Sequence, residues 1–230
     1  MTINTAYLAE GQCWHVRSVY GFEGPIIRCA LSRWARRLAR SPADQVVIPE
    51  AWTPDDGCWG NHDGIVTKRG DHWGIGEQTL SGAKFTPLDV YLAGIEKGRY
   101  QVRVYEPIAA SASDMAHGTA NWWQYLRGRP YDFIAYLPRL TWKALVSDWA
   151  DSSVAWKRRI GRTPSGWEWA GWCTEDFANS YRIKPPGRDL LQTANPTPLT
   201  MEQCAGQAPR RPRVQITLRD VTRQVFDETA

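Results

Sequence analysis

The chain has 230 residues, 43% apolar and 23% charged, enough for one well-filled domain with at most a small appendage. A formal net charge of +4, with Lys and Arg scattered along the chain, is too weak to argue for nucleic acid. No apolar run approaches the ~20 residues of a membrane span, so no span is expected.

Met1 to Gly11 lacks a charged stretch followed by an apolar one, so no secretory signal is expected. Residues 11–20, with Val16, Val19 and Tyr20, read as a short strand or an entry loop. Ile27, Leu31, Trp34, Ala35 and Leu38 recur at helical spacing after Gly24-Pro25 and predict a helix over 26–38. Residues 41–60, rich in Pro, Asp and Gly around Val46-Val47-Ile48, read as a loop or insertion. Asp63–Thr67 and Trp73–Glu77 read as two strands of a hairpin, with Lys68-Arg69-Gly70-Asp71 as its turn. The segment from Gly82 leads into a helix over Leu88–Ile95, and Tyr100–Tyr105 alternates with period two as a strand. Ser113–Leu126 reads as helix up to Gly128-Arg129-Pro130, and 141–170 as a second insertion. Trp172–Tyr181 resumes helical spacing. The Pro-rich tail carries one strand-like run, Val214–Leu218, suited to docking on a neighbour's sheet edge. The domain is accordingly bounded at 1–205, with 206–230 as a tail.

Five cysteines without a CxxC pair and four histidines without metal spacing make a disulfide framework or a metal centre unexpected. No cofactor is expected either. Cys173 stands out by place. It begins a helical pattern, where free N–H groups favour a thiolate. A nucleophilic thiol needs an imidazole, and the imidazole needs a third polar group to orient it. His62 opens the first hairpin strand and Glu77 ends the second, fifteen residues on, with the turn about midway. Antiparallel pairing brings those ends together.

The ordered set of motifs carries a resemblance. It comprises Asn61-His62-Asp63-Gly64-Ile65-Val66, Gly74-Ile75-Gly76-Glu77-Gln78 and Phe85-Thr86-Pro87-Leu88-Asp89-Val90-Tyr91-Leu92. A Val-containing strand, Gly128-Arg129-Pro130-Tyr131-Asp132 and Trp172-Cys173-Thr174-Glu175 follow. The set resembles the circularly permuted branch of the NlpC/P60 superfamily of papain-like thiol hydrolases, over roughly His62 to Tyr181. The resemblance implies an α+β permuted papain-like fold, with a small antiparallel sheet packed against the helix that carries the cysteine. It makes Cys173 the nucleophile, His62 the general base and Glu77 the residue holding the imidazole. Tyr131 and Trp172 would line or support the site, and backbone N–H groups at the start of the Cys173 helix would meet the oxyanion. Departures are visible. Asn61 and Asp63 stand where the family has small and apolar neighbours of the His, and Thr174 stands where it has Ser. A rival placement makes His72 the strand His, with Asp89 as the next acidic candidate. His15 and His117 have no partner pattern and read as surface or local structural residues.

The same resemblance implies a cysteine hydrolase that cleaves an amide through an acyl-enzyme. Its substrate would be a bacterial cell-wall peptide of peptidoglycan. The expected absence of a signal, together with the texture of phage-encoded members, implies a tail- or lysis-associated protein. Such a protein is made in the bacterial cytoplasm and carried on the virion with phage tail proteins. Two other readings are an ester or acyl hydrolase on the same site, and a virion structural protein keeping the fold without catalysis.

Overall fold

The computed structural model describes residues 3–18, 23–130, 173–192 and 196–226. Tyr131, Trp172 and the segment 141–170 lie outside the described residues.

Strand β1 (Cys13–Ser18) is followed by helix α1 (Glu23–Ala39), then by the hairpin β2 (His62–Arg69) and β3 (His72–Thr79). Next come β4 (Gly82–Pro87), α2 (Leu88–Glu96), β5 (Tyr100–Pro107) and α3 (Ala112–Asn121). Helix α4 (Cys173–Arg182), α5 (Pro198–Cys204), β6 (Leu218–Asp220) and α6 (Thr222–Val225) complete the described chain. The strands form one sheet in the order β4-β3-β2-β1-β5-β6, with every neighbouring pair antiparallel. The fold is α+β, as expected.

Alternation of side chains along the central strands divides the apolar residues between two cores. Cys13, Ile65 and Tyr105 point to one face, where Phe177, Ala178 and Tyr181 of α4 meet Trp122, Leu126 and Met201. Trp14, Val16, Val66, Ile75 and Val104 point to the other, against Leu88 and Tyr91 of α2 and Val225 of α6. The sheet therefore has helices on both faces rather than one. The central strands are buried on both sides, and polar residues such as His15, Asp63, Thr67 and Glu77 are buried within them.

Helix α4 is fixed to its face by polar ties as well as packing. Tyr181 donates to the Gly11 carbonyl at 2.6 Å, and the Asn121 amide donates to the carbonyls of Ser180 and Pro185 at 2.8 Å each. Arg129 pairs with Asp176 at 3.2 Å in the buried interior. Gly76 admits the Trp122 ring beneath the helix, since an added Cβ would stand 2.5 Å from it. Hairpin β2–β3 closes on Gly70, whose φ of +61° suits glycine.

Two segments differ from expectation. Residues 41–60 are not peripheral: Trp52 and Cys58 pack with Leu31 and Ala35 of α1 and Leu199 of α5 into a third core. In the tail, the strand is Leu218–Asp220 rather than Val214–Leu218, and it pairs with Tyr105–Pro107 of its own sheet. The reason lies in Thr217, whose N–H already binds the Cys204 carbonyl at 2.9 Å and whose hydroxyl binds the Leu190 carbonyl at 2.6 Å. Thr217 therefore gives only its carbonyl to the ladder, accepting the Ile108 N–H at 2.9 Å, and β6 forms the sheet's edge beside β5.

Candidate active site

His62 is the first residue of β2, and Glu77 lies near the end of β3. The register pairs Gly64, not His62, with Glu77, so imidazole and carboxylate meet on the diagonal. Such neighbours are ~7–8 Å apart at the backbone, within reach of long side chains, and glycine at 64 leaves no side chain opposite Glu77. His62 Nε2 lies 2.5 Å from Glu77 Oε2. The His62 side chain is 24% exposed and that of Glu77 7%, so the pair sits at a wall with the imidazole reaching solvent.

Glu77 is held from its other sides by the segment that follows the hairpin. Tyr91 of α2 donates to Oε2 at 2.7 Å, and the Thr86 hydroxyl of β4 donates to Oε1. Burial alone would raise the Glu77 carboxyl, but the bonds from His62, Thr86 and Tyr91 outweigh it and leave the group below its ordinary range. The Tyr91 phenol is pushed well up by burial and by the carboxylate beside it, which keeps it a donor.

Cys173 is the first residue of α4 and is buried, 4% exposed. Cys173 acts electrostatically on the His62 ring. With Nε2 committed to Glu77, Nδ1 is the ring's other hydrogen-bonding atom. Burial would lower the imidazole pKa, yet Cys173 first and Glu77 second raise it well above the ordinary value. Cys173 and Glu77 thus both favour the imidazolium form of His62.

All five cysteines are free. Cys29 is exposed, while burial pushes the Cys13 and Cys58 thiols well up and that of Cys204 to about 11. Of the two placements of the strand histidine, His62 is the one brought to Cys173. His72 is exposed at the turn end of the hairpin, opposite Arg69. That is seven residues along β2 from His62, roughly 23 Å at ~3.3 Å per residue. Asp89 and His117 are exposed.

His15 is a correction. It is fully buried, with Nδ1 2.5 Å from Asp63 Oδ1 and Nε2 3.3 Å from Glu202 Oε1. Its partners lie 48 and 187 residues away, so no local pattern points to them. Thr86 and Tyr91 were equally unassigned, although both fall in the Phe85–Leu92 segment quoted among the motifs.

Replacing Glu77 with Gln should lower the His62 pKa, since a neutral amide no longer favours the imidazolium. The imidazolium that protonates the departing amine should then be lost at lower pH on the alkaline side, with turnover reduced on the order of tenfold. The pH profile of turnover measures this directly. An unchanged profile would show that the carboxylate does not govern the imidazole.

No protein-family model matches the sequence, and no curated protein matches it. Among solved structures, the chain is similar to the metalloprotein yiiX of Escherichia coli O157:H7 (DUF1105). The two are 16% identical, and the match covers 93% of this chain and 96% of that chain with a TM-score of 0.47. Among the described residues, no group of three or more His, Cys, Asp or Glu could hold a metal ion. No helix among them is long and apolar enough to cross a membrane.

Proposed function

We propose that the chain is a cysteine hydrolase of the permuted papain-like kind, cleaving an amide bond through an acyl-enzyme. The observation that carries this reading is the His62 imidazole, bound at one nitrogen to Glu77, with Cys173 at the start of α4 as the partner that most favours its protonated form. In the first half-reaction the thiol proton passes to His62 while Sγ attacks the carbonyl carbon. The C–N bond then breaks as the imidazolium protonates the departing amine, leaving a thioester on Cys173. In the second half-reaction His62 takes a proton from water, and the hydroxyl adds to the thioester. The acid departs as the proton returns to sulfur. Glu77 stays ionised throughout, stabilising the imidazolium and holding the ring.

The substrate class follows from the sequence resemblance: a peptide of bacterial peptidoglycan, with the protein serving a phage tail or lysis. The tail strand pairs with β5 of the chain's own sheet and forms its edge.

The test is acid quenching during incubation with peptidoglycan peptides, and separately with a short-chain ester, followed by mass analysis of the peptide bearing Cys173. A thioester formed from the cell-wall peptide, with release of a new amine, is the expected result. An adduct from the ester alone would move the assignment to acyl-ester chemistry. Neither adduct nor product from either substrate would overturn the hydrolase reading.

A further inference from the structure

Behind the Cys173–His62 pair, the side chains of Glu202, His15, Asp63 and Thr174 make a continuous buried polar chain that ends on Cys173. Glu202 of α5 accepts from the backbone N–H of Trp59 at 2.9 Å and of Gly60 at 2.8 Å, and from the Cys58 thiol at 3.3 Å. The same oxygen faces His15 Nε2 at 3.3 Å, and His15 Nδ1 meets Asp63 Oδ1 at 2.5 Å. The other Asp63 oxygen accepts the Thr174 hydroxyl, whose Oγ1 stands 3.8 Å from Cys173 Sγ. A hydroxyl has one proton to give, and Asp63 takes it, so toward sulfur Thr174 can only accept. Glu202, His15, Asp63, Thr174 and Cys173 are all buried.

The ends of this chain are placed with respect to the reaction. Asp63 directly follows His62, and Thr174 directly follows Cys173. Glu202 grips the loop that delivers His62 into β2, and Asn61 in that loop accepts the Ser18 N–H at 2.7 Å. The fit is tight: a Cβ on Gly60 would lie 2.1 Å from His15 Nε2. Charges buried this deeply are costly unless paired, and hydrophobic residues fill a core as well or better. An ionic chain ending on both neighbours of the reacting pair therefore calls for a role that packing alone does not supply.

We propose that Asp63 is a positioning residue, which through Thr174 sets the first turn of α4, and with it Cys173 Sγ, relative to His62. The His15–Glu202 pair holds Asp63 in that place. This rests on reading Cys173 and His62 as the reacting pair.

The experiment follows iodoacetamide alkylation of each cysteine by peptide mass as a function of pH, with exposed Cys29 as internal reference. It compares wild type, Thr174→Val, Thr174→Ser and Asp63→Asn, with circular dichroism reporting the fold. In wild type, Cys173 should outpace Cys29 near about pH 6, as an activated thiol does. Thr174→Val and Asp63→Asn should slow Cys173 on the order of tenfold and move its profile to higher pH, leaving Cys29 unchanged. Thr174→Ser keeps the hydroxyl and should stay within about twofold of wild type. Should Thr174→Val fail to fold, Asp63→Asn carries the comparison. A folded Thr174→Val or Asp63→Asn with the wild-type profile overturns the proposal and leaves the catalytic reading standing. So does a Thr174→Ser that falls as far as Thr174→Val. If Cys173 in wild type reacts no faster than Cys29, both readings fall together.

Discussion

Cys173→Ala is expected to lower amide cleavage by at least about 10³-fold, and His62→Ala by nearly as much. Each removes a partner without which the other has no role. The thiol needs the imidazole to take its proton, and an imidazole without the thiol has only water to activate. For that reason the double variant should be no worse than Cys173→Ala alone, because groups acting as a unit are not additive. Stability should move little with Cys173→Ala. The residue begins a helix in which alanine is favoured, and the change removes a single buried sulfur. Steady-state rates on a peptidoglycan peptide, paired with melting curves, make the comparison. Two losses that multiply in the double variant would mean that the residues act independently.

The hairpin was legible because its signals are local. Alternation, a Gly turn and two polar residues at symmetric distances from it lead to His62 beside Glu77, and only the diagonal offset needed coordinates. Helix α4 was legible from Phe177, Ala178 and Tyr181 at helical spacing, which the buried face repeats. Sheet order was not. The central place of β1 depends on pairing with both β2 and β5, and nothing in Cys13–Ser18 announces two neighbours. The polar chain behind the site was hidden for a related reason, since hydrogen bonds between residues as distant as His15 and Glu202 leave no periodicity. Asp63 and Thr174 had been visible only as two separate departures from a family pattern. In the structure they are one interaction, the hydroxyl of one bound to the carboxylate of the other.

Glu202→Ala is expected to destabilise the protein by about 3–5 kcal/mol, the usual range for breaking a buried ion pair. The loss has a specific origin. Two backbone N–H groups, the Cys58 thiol and the His15 imidazole would lose their shared acceptor, and His15 would keep only Asp63. Glu202→Gln keeps an acceptor oxygen and should cost less, while changing how stability depends on pH. Burial would lower the His15 pKa, but Asp63 and Glu202 together raise it from the ordinary 6.5 to about 9. A raised pKa means that folding binds the proton more tightly. The contribution is complete below about pH 6.5 and is lost as pH rises through about 9, amounting to roughly 3 kcal/mol. His62, raised in the same direction, adds to the same slope. The other groups facing His15 leave that window clear. Tyr105 and the thiols of Cys13 and Cys58 are pushed well up by burial, so they destabilise the fold only above their ordinary values of 10 and 9. Glu77, held low, acts at the acid end, where its contribution is lost as pH falls through its folded value. Urea unfolding across this pH range should therefore show wild-type stability declining on the alkaline side. The decline should be shallower in Glu202→Gln, because a neutral neighbour lowers the pKa of His15, and it should keep the His62 part. Parallel slopes in the two proteins would mean that Glu202 does not hold the His15 charge, and the buried pair would then be a neutral hydrogen bond.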